Sequence, residues 1–118
     1  MTKILIATEN SDIQHFGSVY GGGSVSGNTD MRTPNFVTIE NKEIISSEDK
    51  LNVPSHAYDK DEEGNLLYHS HPNQEINSIE QNFVKIEGNL VVLVGDKSTT
   101  NDVRIMDSGN NDFMKIEV

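Results

Sequence analysis

The chain has 118 residues, a net charge of −10, 34% apolar side chains and neither cysteine nor tryptophan. Its length is that of one domain, 1–118, and its acidity excludes nucleic acid and anionic membrane surfaces as partners, because both call for a basic patch. The lack of cysteine excludes disulfides and thiolate ligands, and so lean a chain needs a metal, a partner or oligomerisation to support its core.

The N-terminal run Met1-Thr2-Lys3-Ile4-Leu5-Ile6-Ala7 is apolar for only a few residues. It is too short for a signal-peptide core or a membrane span, so the chain is expected in the cytoplasm until something else moves it. Residues 17–30, from Gly17 through Gly21-Gly22-Gly23 to Asp30, read as a flexible linker or a tightly folded glycine turn. They lack the lysine of a phosphate-binding loop. No segment carries a sustained 3.6-residue apolar stripe, so no helix is expected.

One strand phrase occurs three times: Phe36-Val37-Thr38-Ile39-Glu40, Phe83-Val84-Lys85-Ile86-Glu87 and Phe113-Met114-Lys115-Ile116-Glu117. Alternation predicts that Val37/Ile39, Val84/Ile86 and Met114/Ile116 share a buried face. The first two copies continue into return strands, with turns predicted at Asn41-Lys42 and Gly88-Asn89, and both reach an Asp-Lys pair, Asp49-Lys50 and Asp96-Lys97. Phe36 to Phe83 and Asp49 to Asp96 are the same offset, so the units match without a gap. The repeat units are thus about 34–50, 81–97 and 111–118, the third holding a single strand before Val118. Their spacing is uneven, which a solenoid would not tolerate. It suits a small closed arrangement around a pseudo-axis, with loops of free length between similar strands.

Three of the four histidines, His56, His69 and His71, lie between the first two copies; His15 is the fourth. His69 and His71 are two apart, so on a strand both address one point. A turn at Asp61-Glu62-Glu63-Gly64-Asn65 brings Pro54-Ser55-His56 back towards them. Imidazole suits zinc or iron, and a structural zinc site wants four nitrogen or sulfur ligands in a tetrahedron. His56, His69 and His71 supply three; His15 is a reasonable fourth, with Asp49, Asp96 or a water as alternatives. Asp59-Lys60-Asp61-Glu62-Glu63-Gly64 looks like the opening of a calcium loop, but Ser70 stands where its bidentate glutamate belongs, and a charged hairpin turn is the better reading. No zinc-hydrolase or nucleophile motif is present, so an enzyme is not expected.

The order Asp12…His15-Phe16-Gly17-Ser18-Val19…Gly22-Gly23-Ser24, a repeat ending in Asp49, Pro54-Ser55-His56, a second repeat ending in Gly95-Asp96 and a third strand resembles the PAAR-repeat proteins. The resemblance covers about residues 12–118. It departs at the Pro-Ala-Ala-Arg tetrapeptide, replaced by Glu43-Ile44-Ile45-Ser46 and Leu90-Val91-Val92-Leu93, and at the family's cysteine, near which Ser98-Thr99-Thr100 stand. The resemblance implies an all-β, small conical pseudo-threefold domain of repeated hairpins, with one structural transition metal, zinc ahead of iron, near its vertex. It implies a tip, monomeric on a trimeric β-helical spike protein, in a contractile phage tail or a type VI secretion system. Such a tip touches the host outer membrane transiently, from the virion or after secretion from the cytoplasm. Phe36, Phe83 and Phe113 are candidates for its base or the core beneath. Two alternatives follow from the same residues: a trimeric phage spike apex sharing one iron through His69-Ser70-His71, and a calcium- or zinc-dependent binding module or hydrolase.

Overall fold

The computed structural model describes residues 3–31, 37–39, 41–77, 84–86, 88–109 and 115–117. Phe36, Phe83, Phe113 and Met114 lie outside these residues, and so do the side chains of Ile116 and Glu117. Twelve strands follow one another without a helix among the described residues. They are β1 (Lys3–Leu5), β2 (Ile13–Phe16), β3 (Ser24–Asp30), β4 (Thr38–Ile39), β5 (Lys42–Glu43) and β6 (Lys50–Lys60). There follow β7 (Leu66–Asn77), β8 (Lys85–Ile86), β9 (Asn89–Leu90), β10 (Lys97–Ser98), β11 (Val103–Ile105) and β12 (Lys115–Glu117).

The short pairs β4–β5 and β8–β9 are the hairpins of the first two repeat units. Their turns fall one residue earlier than the sequence suggests: Ile39 faces Lys42 and Ile86 faces Asn89. Asn41 and Gly88 are therefore the second loop residues, with φ of 66° and 82°. Asparagine and glycine adopt this left-handed conformation most readily, whereas Lys42 extends into the return strand. The third unit gains a return strand that its repeat phrase did not disclose. β12 pairs antiparallel with β1, Ile4 opposite Ile116, so the N-terminal run completes it.

The three return strands meet in a closed cycle. The Ala7 amide donates to the Val92 carbonyl (3.0 Å), Val92 to Ile45 (3.0 Å) and Ile45 to Ala7 (3.2 Å). A second cycle lies beside it, Glu9 to Glu43, Ser47 to Leu90 and Val94 to Leu5, at 2.8–3.0 Å. Ala7, Ile45 and Val92 occupy equivalent places and are fully buried. Each strand then enters the same tight turn. The Asp49 carboxylate accepts from the Ser46 amide and that of Asp96 from the Leu93 amide, both at 2.9 Å. In the third unit the Ser11 hydroxyl accepts from the Thr8 amide at 3.0 Å. The shared Asp-Lys pair thus marks a turn whose side chain satisfies a buried backbone donor.

Beyond each turn the chain runs into a further hairpin: β2–β3, β6–β7 and β10–β11. Their six strands close an antiparallel barrel in the order β10-β11-β2-β3-β6-β7. Residues 24–30 are therefore a strand, and the glycine turn is confined to the run before Ser24. The core is small, as the composition foretold: Ala7, Ile13, Ile45, Leu51, Val53, Ile76, Val92, Val103 and Ile105 form one buried cluster. Ile6, Ile39, Ile44, Val91 and Leu93 form a second on the side of the repeat hairpins, with Val84 and Ile86 packed against it. Val37 departs from the predicted buried face and is 45% exposed. It lines an open apolar groove of about 340 Å³ with Ile39, Ile44, Val84 and Ile86.

Candidate metal centre

Continuing along the barrel from the apolar cluster, the inward positions change from aliphatic to imidazole. On β2 the buried residues are Ile13 and His15, two apart as a strand requires. On β6 the inward series Leu51, Val53 would continue to Ser55, but Ser55 is exposed and His56 is buried. The register explains this: Val53 faces His71 and His56 faces His69, so β6 carries one extra residue between them. The bulge holds Pro54, which has no amide to give to a ladder. A compensating irregularity lies on β7, where Leu51 faces Gln74 but Val53 faces His71. That bulge contains Pro72 and Asn73, the latter at φ 55°, and brings His71 and His69 to the inner face in place of their neighbours. Two proline bulges in one hairpin therefore aim three histidines at one point.

The structure brings together all four histidines named from the sequence. One ligand nitrogen from each of His15, His56, His69 and His71 lies within 4.8 Å of the others. Their ring centroids are 4.4–5.4 Å apart for the five ring pairs in contact. His15 and His56 are buried; His69 and His71 are half-buried, with the Tyr58 ring stacked on His69 at 4.2 Å. All four lie on strands, His15 on β2, His56 on β6 and His69 and His71 on β7. Asp49 and Asp96 are not part of the cluster: their carboxylates are buried in the turns described above. The turn at 61–65 is as expected. The Asp61 carboxylate accepts from the amides of Glu63 and Asn65 at 2.9 Å and so closes the charged hairpin turn.

The ring nitrogens show what the cluster suits. His56 Nδ1 lies 2.9 Å from the Pro54 carbonyl, an acceptor only, so this nitrogen carries the proton and Nε2 presents a lone pair. His56 Nε2 and His69 Nε2 face each other at 2.9 Å. Both nitrogens of His15 and Nε2 of His71 are buried without a hydrogen-bond partner among the described residues. Buried polar atoms without partners are uncommon and costly. Protonation is a poor remedy. Burial, followed by the neighbouring imidazoles, lowers the pKa of His69 and His71; burial also lowers that of His15, against the opposing pull of Asp102. Neutral imidazole is the form that binds a metal. The donor set, its spacing and its unpartnered nitrogens fit one transition metal in an all-nitrogen tetrahedron, in which neighbouring nitrogens stand about 3.3 Å apart.

One neighbour escaped the sequence reading. Asp102, on the connection between β10 and β11, places Oδ2 3.7 Å from His15 Nδ1. Nothing in its local sequence marks it; only closure of the barrel, which pairs Val103 with His15, brings it there. Comparison of the chain with family models, with characterised proteins and with solved structures finds no match.

Proposed function

We propose that this chain is a metal-stabilised, non-enzymatic tip, PAAR-like in plan, that caps a trimeric β-helical spike in a contractile injection machine and sharpens it for passage through an outer membrane. The observation that carries this reading is the closed hydrogen-bond cycle of Ala7, Ile45 and Val92. One chain there offers three equivalent segments about an axis, the symmetry a trimeric partner needs from a single cap. On the side of the repeat hairpins, the open groove with Val37 exposed supplies apolar surface for such a partner.

The four histidines support a structural role for the metal. His15, His56, His69 and His71 would hold it, and four imidazoles fill a tetrahedral shell with no open position for substrate or water. When bound, the metal supplies cross-linking: it joins β2 to the β6–β7 hairpin where the core has run out of aliphatic side chains. Zinc is favoured over iron by this coordination number. All four ligands belong to one chain, which supports a monomeric tip over a spike apex whose three chains share one iron.

The test is assembly. Purified chain is mixed with the trimeric spike protein encoded nearest to its gene, and the complex is weighed in solution. The reading expects one zinc per chain and one chain per spike trimer. A chain that forms its own trimer with one metal per three copies would overturn it, as would failure to bind any such spike.

A further inference from the structure

One of the four imidazoles, that of His56, has its ligand nitrogen selected by a hydrogen bond on the other side of the ring. His56 donates from Nδ1 to the Pro54 carbonyl. His15 has no such bond, and both its nitrogens are buried. Its one charged neighbour among the described residues is the Asp102 carboxylate, on the Nδ1 side at 3.7 Å. That distance exceeds a hydrogen bond, but the carboxylate is held in place by several contacts. The Thr100 hydroxyl donates to Asp102 Oδ1, and the Ser98 hydroxyl reaches the same oxygen at 3.4 Å. Ser98 is fully buried and accepts from the Val103 amide at 3.2 Å, while the Asp102 carbonyl accepts from the Phe16 amide at 2.7 Å. The β10–β11 hairpin contributes no histidine. It contributes a buttressed carboxylate beside the histidine of β2.

From this arrangement we infer that Asp102 is a positioning residue for the metal centre: it holds the His15 proton on Nδ1 and so leaves Nε2 as the ligand. This deepens the metal reading above and rests on it. An anion beside Nδ1 favours the tautomer with its proton there, and raises the basicity of the opposite nitrogen. Loss of such an outer partner weakens metal binding by about 10–100-fold without removing a ligand.

The experiment measures zinc affinity of the full chain by chelator competition, for the parent, Asp102→Asn, Asp102→Glu and Thr100→Val. X-ray absorption counts nitrogen ligands, and nitrogen NMR of the zinc-loaded chain reads the His15 tautomer. Asp102→Asn is expected to lose about 10–100-fold in affinity, keep four imidazole ligands and leave the melting temperature of the metal-free chain unchanged. Asp102→Glu, which keeps the charge, should recover part of the loss. Thr100→Val removes one buttress and should lose about threefold to tenfold, which keeps the test alive if Asp102→Asn does not fold. In the parent, Nδ1 of His15 should be protonated. Parental affinity in both Asp102→Asn and Thr100→Val overturns the assignment. Loss of one ligand in Asp102→Asn also overturns it, since Asp102 would then be a ligand itself. So does an equal fall in stability with and without metal, which would make Asp102 a simple clamp between hairpins. A parent that binds no zinc, cobalt or iron overturns the metal reading, and this assignment with it.

Discussion

Nε2 of His56 and Nε2 of His69 stand 2.9 Å apart, within reach of a shared proton or a shared cation. His56 has its proton on Nδ1, facing the Pro54 carbonyl, so its Nε2 presents a lone pair to His69. That lone pair, with the unpartnered nitrogens of His15 and His71 beside it, makes a donor set suited to a cation. His69→Ala together with His71→Ala should therefore abolish metal binding, since it removes two of four ligands. A structural metal of this kind contributes on the order of 10 kcal/mol, so the melting temperature of the loaded protein should fall by more than about 10 °C. Metal analysis and a thermal melt check this; a double variant that melts like the parent would remove the structural metal from consideration.

Acid should destabilise the metal-free chain. The pKa of each of His15, His69 and His71 is lowered, mainly by burial. The unfolded chain, with imidazoles near their ordinary value of about 6.5, then binds more protons than the folded one as the pH drops. Stability is full above about pH 7, falls as the pH passes below about 6.5, and levels off once it lies beneath the lowered folded values. Urea midpoints measured without metal at about pH 7.5 and about pH 5.5 should show the lower midpoint in acid. With metal bound the fall should be steeper, because protons then compete for the ligands as well.

The turn carboxylates should behave alike in both repeat units. Asp49 and Asp96 are buried and accept from the buried amides of Ser46 and Leu93. Asp49→Ala and Asp96→Ala each strand such an amide, at a cost of about 1–3 kcal/mol, whereas Asn retains an acceptor and should cost less. Denaturant titration measures both. Metal stoichiometry should stay at the parental value, since neither carboxylate belongs to the histidine cluster.

Gly27 stands where β3 comes close to the backbone of β6 in the barrel wall. A Cβ there would collide with the Asn52 carbonyl, and backbone cannot step aside as a side chain can. Gly27→Ala should destabilise by about 1–3 kcal/mol through this overpacking. Because the clash lies at the β3–β6 pairing, hydrogen exchange should rise first at Asn28, Thr29, Leu51 and Asn52. Uniform exchange across the barrel would contradict this account.

Much of the architecture was legible because it rests on local rules. The triple phrase fixed by alternation marked strands, and the ungapped match to Asp49 and Asp96 marked equivalent turns. His69 and His71 were legible as a pair because a strand presents alternate residues to one face. What could not be read depends on closure. The N-terminal run departs from the repeat phrase and carries Ser11 where the other units have aspartate, so its place as the third return strand is visible only in space. The aim of His56 depends on the bulge at Pro54; the prolines at 54 and 72 were the available signal, since a proline inside a strand points to an edge or a bulge. Asp102 had no signal at all.

The β1–β12 pairing joins residues 3–5 to residues 115–117, the most distant segments in the described sequence. The cycle through Ala7, Ile45 and Val92 therefore needs all three return strands, each from a different part of the chain. Contacts so far apart are slow to form, because the loop entropy must be overcome before any of them contributes. During synthesis the edge of β1 that receives β12 stays bare while everything between is made. Completing the third hairpin is then a late event, and until it happens the emerging chain presents two finished hairpins and one bare strand edge, the state in which it is most exposed to aggregation.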